Sequence, residues 1–142
     1  MCGIFGFIGI DTDPGQIVLD GLKKLEYRGY DSFGIAITTK QKFIIHKQTG
    51  EIEHSTNPFI KAETNFAIGH SRWATHGGVT KENAHPHVSN NEQIMLVHNG
   101  IFENYLEIKK QLESKGYSFY SQTDSEVAAV LLEDLTKTLN PL

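Results

Sequence analysis

The only cysteine of this chain is its second residue. A lone Cys among apolar neighbours is commonly a small buried hydrophobe. Its position offers a second reading. Loss of Met1 would place a free α-amine, with a pKa of about 7.7–8.0, on the same residue as the thiol. That is the range a general base needs near neutrality, so Cys2 would carry both nucleophile and base, as an N-terminal Thr can. Arginine is almost as scarce: of thirteen Lys and Arg, only Arg28 and Arg72 are Arg. Arg grips a carboxylate through two parallel hydrogen bonds, which Lys cannot match. Arg72 adjoins the only tryptophan, Trp73. The competing reading is a surface Arg stacked on that indole.

Asn99-Gly100 follows an apolar run and reads first as a turn. The sharper reading pairs the Asn amide with a backbone N–H as an oxyanion hole, each donor worth about 3 kcal/mol where charge develops. Asp124 opens an apolar helical stretch, where a carboxylate favours the helix dipole; it would equally hold a ligand ammonium. Pattern alone leaves both pairs of readings open. Five of the seven His lie between His70 and His98. No HExxH or other compact ligand motif occurs, and one Cys makes no thiolate site, so no metal is expected. His85-Pro86-His87, if extended, would point its two rings apart. These imidazoles are read as hydrogen-bonding loop backbone.

The elements that must position these residues follow from composition and periodicity. The 142 residues, 39% hydrophobic and 21% charged, suit one globular domain rather than a disordered tail. A net charge of −4 gives no general attraction for nucleic acid or an anionic membrane. The longest apolar stretch, around Val127–Leu132, is too short to span a bilayer. No secretory leader precedes the first apolar run, and a single Cys forms no internal disulfide, so a cytoplasmic location is expected. Residues 3–10 read as a buried strand. Asp13-Pro14 with Gln16 predicts a capped helix over 14–27. Residues 33–39 and 42–47 predict a hairpin around Lys40-Gln41. Further strands are expected at 66–71, 93–98 and 117–121, with a long polar loop over 74–92. Helices are expected over 105–115, capped by Asn104, and from Thr123-Asp124 to Leu139. Strands and helices do not strictly alternate, which points to an α+β fold.

Taken together, MCGIFG, EYRGYDS (26–32), HSRWATHG (70–77), AHPHV (84–88), VHNGIFEN (97–104) and QTDSEV (122–127) resemble the glutaminase domain of glutamine-dependent glucosamine-6-phosphate synthases. These are class II amidotransferases with an N-terminal nucleophile, and the resemblance runs in order over nearly the whole chain. It implies an αββα sandwich of antiparallel sheets, of which residues 1–142, a type-2 amidotransferase domain without its C-terminal part, form the N-terminal portion. It implies Cys2 as nucleophile and Asn99 with the Gly100 N–H as the oxyanion hole. Arg72 and Asp124 would hold the α-carboxylate and α-ammonium of L-glutamine. Thr75, His76 and Gly77 would close over it, Trp73 would pass ammonia onward, and Arg28 would order the nucleophile. The resemblance implies no cofactor. It implies a sugar-phosphate isomerase domain, absent here, that binds fructose-6-phosphate, and a homodimer of the full-length enzyme. Phe33 departs from the family, which commonly has a small residue there. The alternative expectation is a non-catalytic glutamine-binding or regulatory fragment, which would keep Arg72 and Asp124 but lack a competent nucleophile.

Overall fold

A computed structural model describes residues 1–10, 13–39, 42–58, 64–75 and 77–139. Its centre is a four-stranded antiparallel sheet in the order β1 (Gly3–Ile8), β4 (Phe66–Arg72), β2 (Ser32–Thr38), β3 (Phe43–Thr49). The inner strand β2 is buried along almost its whole length, which is why its sequence, SFGIAIT, is apolar on both faces rather than alternating. Helix α1 (Pro14–Leu25) lies on one face of the sheet. Val18, Leu19 and Leu22 pack there with Phe33, Ile35, Ile37 and Ala67. Phe33 is thus a core residue of this layer.

The second layer is thinner. A two-stranded sheet, β5 (His87–Val88) and β6 (Met95–Leu96), lies between the main sheet and α3 (Asp124–Leu139). Helix α2 (Tyr105–Ser114) packs on α3 around Leu112, Val127 and Val130, with Phe102, Ile108 and Phe119 at the margins. The layers run helix, sheet, sheet, helices: an α+β arrangement, as expected. Gly34 lets the layers meet. A Cβ there would lie 2.0 Å from the backbone oxygen of His85, so only glycine admits the 84–88 segment against β2. Side chains alternate along β4. Gly69 lies beneath α1, where a Cβ would strike Val18 and Leu22. His70 and Arg72, on either side of Ser71, share one face; the ring of His70 meets that of His85 on the second-layer segment.

Several expected elements take a different form. The first strand ends at Ile8, and the first helix at Leu25, followed by a 3-10 turn over Glu26–Arg28. Asp13 caps α1 through Oδ1, but Gln16 does not return the bond; its amide goes forward to Asp20. The tip of the expected hairpin, Lys40-Gln41, lies outside the described residues. Residues 93–98 pair only over Met95–Leu96, and their partner β5 falls within the stretch read as loop. No strand forms over 117–121: the N–H groups of Ser118, Tyr120 and Ser121 bond side-chain oxygens of Asn90 and Glu126 instead of a neighbouring strand. Asn104 precedes α2 without a side-chain bond to it. Thr123 does cap α3, accepting the Glu126 N–H at 3.3 Å.

Candidate active site

Pairing of Gly3 with Ser71 brings the N-terminus to the end of β4. Cys2 is half-buried there, and the Trp73 backbone N–H donates to its Sγ at 3.2 Å. The Cys2 thiol in turn lies 3.5 Å from the Trp73 carbonyl, which can accept from it. Two further donors converge on the Cys2 backbone oxygen: Asn99 Nδ2 at 3.1 Å and Arg28 Nε at 3.4 Å. Arg28 also reaches the Met1 sulfur. The reading of Cys2 as a buried hydrophobe is therefore overturned. Cys2 is only half-buried, and polar groups as far apart in sequence as Arg28 and Asn99 converge on it.

Arg72 is buried, which removes the surface-Arg reading; Trp73 packs edge to face on Tyr30 at 5.4 Å. The guanidinium donates to the Gly78 carbonyl at 3.0 Å and, at 3.4 Å, to that of Gly77. Burial lowers its pKa, while Cys2, Asp31 and Asp124 act in the opposite sense. It remains a cation in the field of all three. The 77–78 turn is also tied to Asn83 and Gln122. Asn83 donates to the Gly78 carbonyl, and Gly78 N–H to Gln122 Oε1. At the other end of this loop, Ala74 N–H bonds Asp31 Oδ2. Thr75 is exposed, and His76 lies outside the described residues.

Asp124 sits at the first position of α3, buried, and accepts the Phe102 N–H at 2.7 Å. It thereby pins the chain just beyond Asn99-Gly100. Gly100 has φ +152°, and a Cβ there would come within 2.8 Å of His98 Nε2. That close approach keeps the turn tight beside Asn99. Asn99 Oδ1 lies 2.8 Å from His70 Nε2.

The histidines form one connected group. His70 stacks on His85 at 4.1 Å, and His85 meets His87 edge to face at 4.6 Å. The expectation that the His85 and His87 rings point apart fails: the chain bends at His85 rather than running extended, and the two rings meet. His85 Nδ1 accepts the His98 N–H, as loop bonding by these rings predicted. His87 and His98 instead bond the hydroxyls of Thr123 and Ser125 at the start of α3. Burial holds all three clustered rings below the ordinary imidazole pKa: His70 at about 4, and His85 and His87 well below normal, with neighbouring His70 and His87 adding to the effect on His85.

A sequence model of the glutamine amidotransferase domain family matches residues 40–140. This chain belongs to the glutamine amidotransferase domain family. A glutamine–fructose-6-phosphate aminotransferase of Thermus thermophilus is 49% identical over 136 residues, 94% of this chain and 22% of the relative. Its counterpart in Helicobacter pylori J99 is 50% identical over 141 residues, 97% of this chain and 23% of the relative. The chain thus spans less than a quarter of the length of these relatives. Among solved structures, the allosteric regulatory enzyme of purine biosynthesis superposes with a TM-score of 0.78 at 34% identity, over 94% of this chain and 29% of that one. The Bacillus subtilis glutamine phosphoribosylpyrophosphate amidotransferase gives 0.75 at 33%, with the same coverage. The fold of this amidotransferase domain is therefore the N-terminal portion of the N-terminal-nucleophile sandwich.

Sequence reasoning singled out ten residues; the structure brings Cys2, Arg28, Arg72, Trp73, Asn99, Gly100 and Asp124 to one end of β4, holds Gly77 on Arg72 and leaves Thr75 exposed, while His76 lies outside the described residues. Sequence reasoning passed over Asp31, Asn83 and Gln122, which hold the 74–78 loop, and treated His70 only as one of a cluster. Asp31 lies inside the quoted EYRGYDS segment and Gln122 inside QTDSEV, so the motifs contained them without revealing their partners.

Proposed function

We propose that this domain hydrolyses the side-chain amide of L-glutamine, supplying ammonia for the synthesis of glucosamine-6-phosphate. The observation that carries the reading is the convergence of Trp73 N–H, Asn99 Nδ2 and Arg28 on Cys2. Once Met1 is removed, the Cys2 thiol passes its proton to its own amine and sulfur attacks the amide carbon. Asn99 Nδ2 and the Gly100 N–H stabilise the oxyanion of the tetrahedral intermediate. The C–N bond breaks, ammonia leaves with the proton held by the amine, and a γ-glutamyl thioester remains. Water then cleaves the thioester to glutamate and restores the thiol. Arg72 pairs with the α-carboxylate of glutamine, and Asp124 with its α-ammonium. An amide lacking those groups would forgo both ionic contacts, which gives selectivity for glutamine. Thr75, His76 and Gly77 cover the bound substrate, and Trp73 guides ammonia away. No residue of this scheme requires a metal or organic cofactor.

The names of the similar aminotransferases support a linked sugar-phosphate isomerase domain that receives the ammonia on fructose-6-phosphate, with residues 1–142 as the leading part of the amidotransferase domain. We place the protein in the cytoplasm, as a homodimer when full-length, with neither nucleic acid nor membrane as partner. None of the described helices is long and apolar enough to cross a membrane. Replacement Cys2→Ala tests the central step. It should abolish glutamine hydrolysis while glutamine binding, measured by calorimetry, survives. Hydrolysis that persists in Cys2→Ala would refute the reading.

A further inference from the structure

His70 lies on β4, fully buried, with its ring on the second-layer face of the sheet. Its Nε2 is 2.8 Å from Asn99 Oδ1. The opposite end of the Asn99 side chain fixes which amide atom is which. The Cys2 carbonyl, 3.1 Å away, can only accept, so the group facing it is the NH2. Oδ1 therefore faces His70, and Nε2 must carry the ring proton. The other tautomer would oppose two lone pairs at 2.8 Å. Burial holds the ring neutral, with a pKa of about 4 despite the opposing effects of Asn99 and the His98 backbone, so this donor does not change state near neutral pH. The plane of His70 is itself set by its stack on His85, whose Nδ1 accepts the N–H of His98, the residue before Asn99.

We propose that His70 is a positioning residue for glutamine hydrolysis: its Nε2–H locks the Asn99 amide so that Nδ2 is presented at Cys2. This rests on the reading of Asn99 as an oxyanion donor. His70 touches no substrate; it fixes the direction of a group that does. Without this bond the Asn99 amide is held at one end, through Nδ2 on the Cys2 carbonyl, and when substrate competes for that donor part of the population would turn about the last torsion and present oxygen to the developing oxyanion.

The test uses the full-length processed protein with His70→Leu and His70→Gln. The Leu variant should lose about 10–100-fold in kcat for glutamine hydrolysis, with KM within about threefold, as expected when a transition-state donor is misaligned. Its affinity for glutamate γ-semialdehyde, whose adduct with Cys2 carries the oxyanion, should fall by a similar factor, while affinity for glutamate holds. The Gln variant keeps an N–H donor and should recover part of the rate. A folded His70→Leu with wild-type kcat, or an equal loss of affinity for aldehyde and glutamate, overturns the proposal. Nitrogen-15 NMR of the wild-type imidazole gives an independent reading even if the Leu variant does not fold. A proton on Nε2 supports the proposal, and a proton on Nδ1 overturns it. A wild-type protein that does not hydrolyse glutamine would instead defeat the underlying reading, and the ring tautomer would still decide the hydrogen bond.

Discussion

Mild acid should destabilise this domain sharply, and the clustered imidazoles set the size of the effect. His70, His85 and His87 are all held neutral in the folded chain, with pKa values pushed below the ordinary imidazole value first by burial and then by neighbouring rings and cations. In the unfolded chain each ring takes up a proton below about pH 6.5. The unfolded state then binds more protons than the folded one, so stability falls as pH falls. The effect is nearly absent at pH 7.5. At pH 5.5, one unit below the unfolded value, each ring costs about 1.4 kcal/mol, and three cost about 4 kcal/mol. The loss grows toward pH 4, where His70 begins to take its own proton in the folded state. Set against a total stability of about 5–15 kcal/mol, that is a large fraction. Urea unfolding followed by the fluorescence of Trp73, which packs on Tyr30, reads the change directly. With a slope of about 1.5 kcal/mol/M, the midpoint should drop by about 2–3 M between pH 7.5 and pH 5.5. A drop below about 0.5 M would refute the reasoning. So would resonances of the His70, His85 or His87 ring that titrate near pH 6.5 in the folded chain.

Other perturbations act on the site and on the seam between layers. Asn99→Ala should lower kcat for glutamine hydrolysis by about 10²–10³-fold and leave KM nearly unchanged, as steady-state kinetics would register. Gly34→Ala would drive a Cβ to 2.0 Å from the His85 carbonyl, which is backbone and cannot rotate aside. It should cost at least about 3 kcal/mol and separate the 84–88 segment from β2, seen as a lower urea midpoint at pH 7.5.

Much of the main sheet was legible because its cues are local. The apolar run of β2, the Asp13-Pro14 start of α1 and the Thr123 cap of α3 each reside within a few residues. What escaped the sequence depends on distant partners. The 117–121 segment has the composition of a short strand, but its N–H groups are taken by Asn90 and Glu126. Strand β5 is two residues long and exists only because Met95–Leu96 pairs with it. The site behaves in the same way. Scarcity pointed to Cys2, Arg72 and Trp73, and motif order to Asn99 and Asp124. The 2.8 Å contact between His70 and Asn99 joins residues 29 apart, and neither neighbourhood carries a sign of the other. Asp124 shows the same limit: its position as the first residue of α3 was readable, but its bond to Phe102 was not.

The central claim is that Cys2, freed of Met1, is the nucleophile for glutamine. Intact mass after exposure to a glutamine-mimicking diazo-ketone tests it most directly. The account predicts a chain lacking Met1 that gains one adduct, mapped to Cys2 and absent from Cys2→Ala. A processed chain that takes up no adduct, or one alkylated equally well in Cys2→Ala, would contradict it.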